Sequence, residues 1–223
     1  MSESAVAGAG ELVVLVDEHG REVGTAAKAS VHHEATPLHL GFSCYVFDVD
    51  GRVLMTRRAL SKRTWPGVWT NSFCGHPAPG ERTVDAVRRR ARQELALAIG
   101  SITCVLPDYR YRAVAADGTV ENELCPVFRA TAAGPVRAAP DEVMDHTWVS
   151  WRDLRAAAEL PWAISPWAAE QVPLIEAATY AGHGPDSSAT TTSQFADFAR
   201  WSLRPAATGV ADYLAHVPRS SRR

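Results

Sequence analysis

Long apolar runs are the first thing this sequence lacks. The longest aliphatic stretch near its start, Leu12 to Val16, falls far short of the ~20 apolar residues that a membrane-spanning helix needs. Charge of one sign is missing too: Lys and Arg number 23 against 25 Asp and Glu, a net charge of −2. No whole-chain field draws the protein to nucleic acid or to an anionic membrane, so any basic site must be local. Cysteine is sparse, and Cys44, Cys74, Cys104 and Cys125 form no CxxC pair, which excludes a small disulfide scaffold and zinc-finger spacing. Residues 1–10 include Glu3 and hold neither a positive n-region nor a long apolar h-region, so a cytoplasmic location with reduced thiols is expected. What remains, 46% hydrophobic and 22% charged over 223 residues, is ordinary globular usage and enough chain for one core of full size.

Strands and helices are mixed, without the regular alternation of a doubly wound parallel sheet. Leu12–Val16 reads as a strand, DEHGRE as a turn, and Thr25 to Glu34 as a helix that ends before Pro37. Phe42–Phe47 and Val53–Thr56 read as a hairpin across Asp48-Val49-Asp50-Gly51. Trp65 to Gly80, dense in Pro, Gly, Trp, Asn and His, reads as a long loop, a kind of segment that is more often functional than decorative. Residues 83–98 form the clearest helix, with Val84, Val87, Ala91 and Leu95 on one stripe. Strands are expected at Ile102–Leu106, Tyr109–Val114, Leu124–Ala130 and Asp145–Val149, and helices at Trp151–Glu159 and Pro166–Tyr180. After Tyr180 the segment GHGPDSSATTTS has linker composition. Residues 1–180 are therefore expected to form one domain, and 181–223 a linker with a C-terminal extension of open role.

Several residues depart from a purely structural pattern. Glu94 lies only about 20° from Val87 around the helix, at the margin of the apolar stripe, with Arg90 one turn earlier. An ordinary Arg90–Glu94 helix pair and a functional carboxylate both fit that spacing. In the preceding loop Cys74 and His76 stand two apart, side by side if the chain is extended there. A thiol between Phe and Gly in such a loop suits an acid, base or nucleophile, whereas Cys44 and Cys104, in β-rich runs, suit burial. His32, His33, His39 and His76, with the carboxylates of Glu121 and Glu123 on one face of a strand, suggest a divalent metal with more than four ligands. Two solvated edge glutamates are the alternative. Arg57, Arg58, Lys62 and Arg63 before the loop, and Arg88, Arg89, Arg90 and Arg92 after it, suggest an anionic, phosphate-like ligand.

The ordered set LHLGFSCYVF, TRRALSKRTWPGVWTNSFCGHP, YRYRA, VENELCPVF, DEVMDHTW and PWAISPW closely resembles the type I isopentenyl-diphosphate delta-isomerases, over about residues 10–180. These are members of the Nudix superfamily. The resemblance implies an α+β fold, an α/β/α sandwich with a mixed β-sheet between helices. Gly75, Glu81, Arg89 and Glu94 occupy the Nudix box G-x5-E-x7-R-E-U-x-E-E-x-G-U, but Arg90 and Gln93 stand where hydrolases carry acids and Ala96 replaces the glycine. That departure favours isomerase chemistry over diphosphate hydrolysis, which is kept as the alternative.

The resemblance further implies a divalent metal, Mn²⁺ or else Zn²⁺, on His32, His39, His76, Glu121 and Glu123. The family's spacing of six residues between its first two histidines selects His32 over His33. It implies Mg²⁺ at Glu94, and Lys28, Arg58, Lys62 and Arg90 around the diphosphate. Cys74 and Glu123 are implied on opposite faces of the alkene, with Tyr111 as proton relay and Trp167 facing the cation. The expected partner is isopentenyl diphosphate, with neither nucleic acid nor membrane, and a monomer is favoured.

Overall fold

The computed structural model describes residues 10–160 and 162–181; the expected linker and extension lie outside them. In chain order the elements are β1 (Leu12–Val16), β2 (Glu22–Ala27), α1 (Lys28–Val31), β3 (His39–Leu40), β4 (Phe42–Phe47), β5 (Val53–Arg58), β6 (Trp69–Thr70) and β7 (Phe73–Gly75). They continue as α2 (Thr83–Leu95), β8 (Ile99–Leu106), β9 (Arg110–Val114), β10 (Val120–Leu124), β11 (Val127–Ala132), β12 (Val143–Val149), α3 (Trp151–Ala158) and α4 (Pro166–Ala181). Among the described residues no helix is long and apolar enough to cross a membrane.

One mixed sheet runs β12-β5-β4-β11-β8, with β6 added to β5 and β7 to β4. Its central strand β4 is buried on both faces, and its side chains alternate as the pleat requires. Phe42, Cys44 and Val46 enter a core with Val87, Ala91 and Leu95 of α2. Tyr45 and Phe47 enter a second core with Trp151 and Leu154 of α3 and Trp167 and Val172 of α4. The sheet is thus sandwiched between helices, the expected α+β architecture. A second sheet, β2-β1-β3-β10-β9, joins strands from distant parts of the chain; the local pattern marks strands at β1 and β9 but not their membership of one sheet.

Four expectations are corrected. Cys104, on the edge strand β8, is exposed rather than buried. Thr25–Glu34 is not a helix: Glu22–Ala27 pairs antiparallel with β1 from Leu12↔Ala27 to Val16↔Glu22, and only Lys28–Val31 is helical. A tight turn forces this pairing, since Asp17 Oδ1 accepts from the amides of His19 and Arg21 and tertiary pairing overrides the weak helical propensity. Leu124–Ala130 is not one strand; it breaks between β10 and β11 at Cys125 and Pro126, so the chain passes from one sheet to the other. The Trp65–Gly80 segment folds back onto the sheet at two places, Thr56↔Thr70 and Arg57↔Trp69 on β5 and Phe42↔Gly75 to Cys44↔Phe73 on β4. These pairings leave β4 and β5 in direct register only at Phe47↔Val53.

Ala96, which replaces the box glycine, closes α2. It adopts the left-handed conformation with φ 46°, its amide donates to Arg92 O at 3.0 Å, and the Leu97 amide donates to Ala91 O at 3.1 Å. The Ala96 bond is the five-to-one closure of a left-handed helix cap, a position that favours glycine. Ala96→Gly is expected to stabilise the protein by about 1 kcal/mol, the left-handed penalty of alanine less part of glycine's unfolded-state entropy. Chemical denaturation checks it; an unchanged or lower midpoint counts against it.

Candidate active site

Strand register builds the first part of the site. β3 and β10 pair in parallel with Glu123 opposite His39, and β10 pairs with β9 with Glu123 opposite Tyr111. His39, Glu123 and Tyr111 therefore form one row across the sheet, and side chains in one row share a face. His76 enters from the turn after β7 and His32 from the end of α1. Ligand atoms of His32, His39, His76 and Glu123 all lie within 4.8 Å of one another. Glu121 reaches the same place, its Oε2 3.0 Å from His32 Nε2. Both glutamates are buried, so they are not solvated edge residues. His33 is exposed and caps a turn instead, accepting from the Ala35 amide.

The donor chemistry fits a divalent cation. His39 donates through Nδ1 to Pro37 O at 3.0 Å, which leaves the Nε2 lone pair facing the cluster. His39 Nε2, His32 Nε2 and Glu121 Oε2 are buried without a hydrogen-bond partner, a costly arrangement that a shared cation resolves. Glu123 Oε1 lies 3.1 Å from His76 Nε2 and 3.6 Å from His39 Nε2. Burial alone would raise the Glu123 carboxyl, but His39 and His76 hold it well below the usual range. Burial alone would lower His39, yet Glu123 raises it, whereas for His76 burial prevails and lowers it.

Cys74 lies opposite Ser43 in the β4–β7 pairing. Burial pushes its thiol up to about 11, and the Glu123 charge acts in the same direction. The sulfur donates to Asn71 Oδ1 at 3.2 Å. The same oxygen accepts from Trp167 Nε1 at 3.0 Å and Thr70 Oγ1 at 2.8 Å, while Asn71 Nδ2 donates to the carbonyls of Cys44 and Phe73. Trp167 packs 5.8 Å from Tyr111 between ring centroids, and Arg58 Cζ lies 5.6 Å from the indole centroid. Tyr111 stacks on Tyr109, whose hydroxyl donates to Glu170. Burial, then the charges of Glu123 and Glu121, push the Tyr111 phenol well above its ordinary value, so it stays a neutral donor.

A small cavity joins this thiol to the basic residues: Arg58, Lys62, Cys74, Glu94 and Glu142 all line it. Arg90 donates to Glu94 Oε1 through Nε at 2.9 Å and Nη2 at 2.5 Å, and through Nη2 to Glu142 Oε1 at 3.1 Å. Lys62 also pairs with Glu142. The helix pair is therefore present, but buried rather than solvated. Burial raises Glu94 despite Arg90; on Glu142 the two cations outweigh burial and bring it to about 2. Glu94 lies outside the His cluster. Lys28 stands apart as well, paired with Glu11 at 2.6 Å in a separate shallow cleft with His76, Arg89 and Gln93. Arg89 grips Glu81 with two bonds and the His76 carbonyl with a third, bracing the turn that carries His76. Glu142, Asn71, Ser43 and Gln171 are not marked out in the sequence; Ser43, Asn71 and Glu142 lie inside segments that carry the resemblance, but no spacing distinguishes them.

The NUDIX domain family matches residues 37–174, which agrees with a mixed sheet between helices and a basic, carboxylate-lined cavity beside α2. Two curated relatives are both named isopentenyl-diphosphate Delta-isomerase. That of Mycolicibacterium vanbaalenii is 67% identical over 168 residues, 75% of this chain and 93% of the relative. That of Clavibacter sepedonicus is 59% identical over 175 residues, 77% of this chain and 92% of the relative. The chain belongs to the isopentenyl-diphosphate Delta-isomerase family. DR0079 from Deinococcus radiodurans, at 21% identity and a TM-score of 0.58 over 73% of this chain and 98% of its own, shares the fold.

Proposed function

We propose that this chain interconverts isopentenyl diphosphate and dimethylallyl diphosphate, adding a proton to one face of the alkene and removing another from the opposite face. The observation that carries this reading is the meeting, within one buried site, of the Cys74 thiol, the Tyr111–Glu123 pair and a cavity lined by Arg58 and Lys62. An unactivated alkene is a poor base, so protonation passes through a tertiary carbocation-like state that needs a dry, electron-rich pocket. In the forward direction one of Cys74 and Glu123 gives its proton to the alkene and the other takes one from the adjacent carbon; in reverse they exchange roles. Tyr111, neutral and opposite Glu123, relays the proton on that side. Trp167 offers the cation an indole face, an attraction of about 0.5–2 kcal/mol. Arg58, Lys62 and Arg90 hold the diphosphate, with Lys28 as an outer cation at the neighbouring cleft.

His32, His39, His76, Glu121 and Glu123 would hold a divalent ion, Mn²⁺ favoured over Zn²⁺, and Glu94 would hold Mg²⁺, a hard cation suited to carboxylate and diphosphate oxygens. When bound, these ions supply the positive charge that offsets the buried carboxylates and the diphosphate. Arg90, at a position where hydrolases carry an acid, engages both Glu94 and Glu142, which disfavours the hydrolase alternative. The reading includes a monomeric cytoplasmic enzyme whose catalytic unit ends near residue 180.

Incubating the purified full-length chain with isopentenyl diphosphate, Mg²⁺ and Mn²⁺ is expected to convert its olefinic NMR signals into those of the dimethylallyl isomer. No conversion, or release of inorganic phosphate from nucleoside diphosphates instead, would overturn the proposal.

A further inference from the structure

Gln171 is fully buried in the apolar core beneath α4, where a carboxamide is costly unless both its ends are bonded. Both are: Oε1 accepts from the Tyr45 hydroxyl at 3.0 Å, and Nε2 donates to Ser43 Oγ at 3.0 Å. The amide orientation follows from proton counting. Gln171 Oε1 is the acceptor recorded for the Tyr45 hydroxyl among the described residues. Turning the amide over would leave that buried phenolic proton without one. With Nε2 donating to Ser43 Oγ, the proton of Ser43 must point elsewhere. Its other neighbours are the sulfurs of Cys74 and Cys125, each at 3.5 Å. The Cys74 proton is directed to Asn71 Oδ1, so the sulfur's lone pairs are free to receive the serine.

We propose that Tyr45, Gln171 and Ser43 form a buried positioning chain whose purpose is to hold the Ser43 hydroxyl as a donor to the Cys74 sulfur. This rests on the reading of Cys74 as a proton-transfer residue. When Cys74 protonates the alkene, the S–H bond breaks, the alkene's electron pair forms the new C–H bond, and the sulfur keeps the S–H pair as thiolate. Asn71 Oδ1, an acceptor, serves the thiol but not the thiolate. Ser43 does the converse: shared between two neutral sulfurs at rest, its hydroxyl turns to the charged one, because hydrogen bonds to ions are the stronger. Its contribution grows as charge develops, the condition for raising kcat rather than merely tightening binding.

Ser43→Ala is expected to lower kcat about 10- to 100-fold, the range for a lost hydrogen bond to a charged group, while the KM for isopentenyl diphosphate stays within about twofold because Arg58 and Lys62 are untouched. Ser43→Thr, which keeps the hydroxyl, is expected to restore most of the turnover. Tyr45→Phe removes the head of the chain, frees Gln171 to turn and capture the serine proton, and is expected to cost about as much as Ser43→Ala. The double variant is expected to be no slower than Ser43→Ala alone. Wild-type kcat in Ser43→Ala or Tyr45→Phe, or losses that add in the double variant, would overturn the chain. If Ser43→Ala fails to fold, Tyr45→Phe and Ser43→Thr decide the matter. Cys74→Ala run alongside separates the two levels: if it is active, the reading of Cys74 itself fails; if it is inactive while Ser43→Ala is unimpaired, only the chain fails.

Discussion

Replacing Cys74 with alanine is expected to lower turnover by about 10²–10⁴-fold, the usual contribution of a general acid or base, while the protein stays folded. The stability side follows from the neighbours. Asn71 Oδ1 keeps Thr70 and Trp167 as donors, and Ser43 keeps Gln171 and Cys125, so the truncation orphans no buried polar atom and costs about 1 kcal/mol. The catalytic side follows from position: the thiol lines the same cavity as Arg58 and Lys62, and in the proposed mechanism its removal deprives Glu123 of its counterpart on the other alkene face. Turnover of the variant by NMR, beside its thermal melt, checks both halves. Near-normal turnover would refute the role of Cys74, and a collapsed melt would refute the claim that the loss is chemical.

Gly41→Ala is expected to do comparable damage without touching a polar side chain. A Cβ at position 41 would stand 2.1 Å from Glu123 Oε2 and 2.6 Å from its Cδ, far inside van der Waals contact. The backbone has little room to yield, because the Gly41 amide donates to Leu124 O at 2.9 Å and ties β3 to β10. Glu123 must therefore swing away from His39 and His76. If Glu123 is both metal ligand and proton-transfer group, the variant loses at least tenfold to 100-fold in affinity for the divalent ion and about 10²-fold or more in turnover. Metal content after equilibration with Mn²⁺, read by elemental analysis, checks the first quantity and NMR turnover the second. Full metal content with full turnover would show that Glu123 tolerates displacement and performs neither task.

Much of this site was legible one segment at a time. Cys74 stood out because a thiol between Phe and Gly in a Pro- and Gly-braced stretch makes poor structural sense. Glu121 and Glu123 stood out because period-two spacing puts both on one face, and Glu94 because it sits at the margin of an apolar stripe. The misreadings share one origin. Thr25–Ala27 has local features compatible with a helix, but pairing with β1 prevails. The stretch from Trp65 to Gly80 has loop composition, yet its short strands are recruited by β4 and β5, whose edges would otherwise present unpaired amides and carbonyls. Gly41 and Gln171 were invisible for the same reason, since what makes each necessary lies far away in the chain.

The sequence by itself determined the repertoire of this protein: the hydrophobic periods of its helices and strands, the near-zero net charge with a local basic cluster, and the chemically competent thiol, imidazoles and carboxylates. Those are properties of side-chain type and short-range spacing, which the chain carries whether folded or not. Only the tertiary structure decided which of them meet. The parallel β3–β10 register set Glu123 against His39, the end of α1 brought in His32, the histidine that the resemblance implied, and the packing of α2 placed Glu94 with Glu142, Arg90 and Lys62 rather than with the imidazoles. The fold also delivered Gln171 of α4 to Ser43 and so to the sulfur. Such meetings depend on strand register and helix packing between segments remote in sequence, and those are settled by burial and backbone pairing over the whole domain.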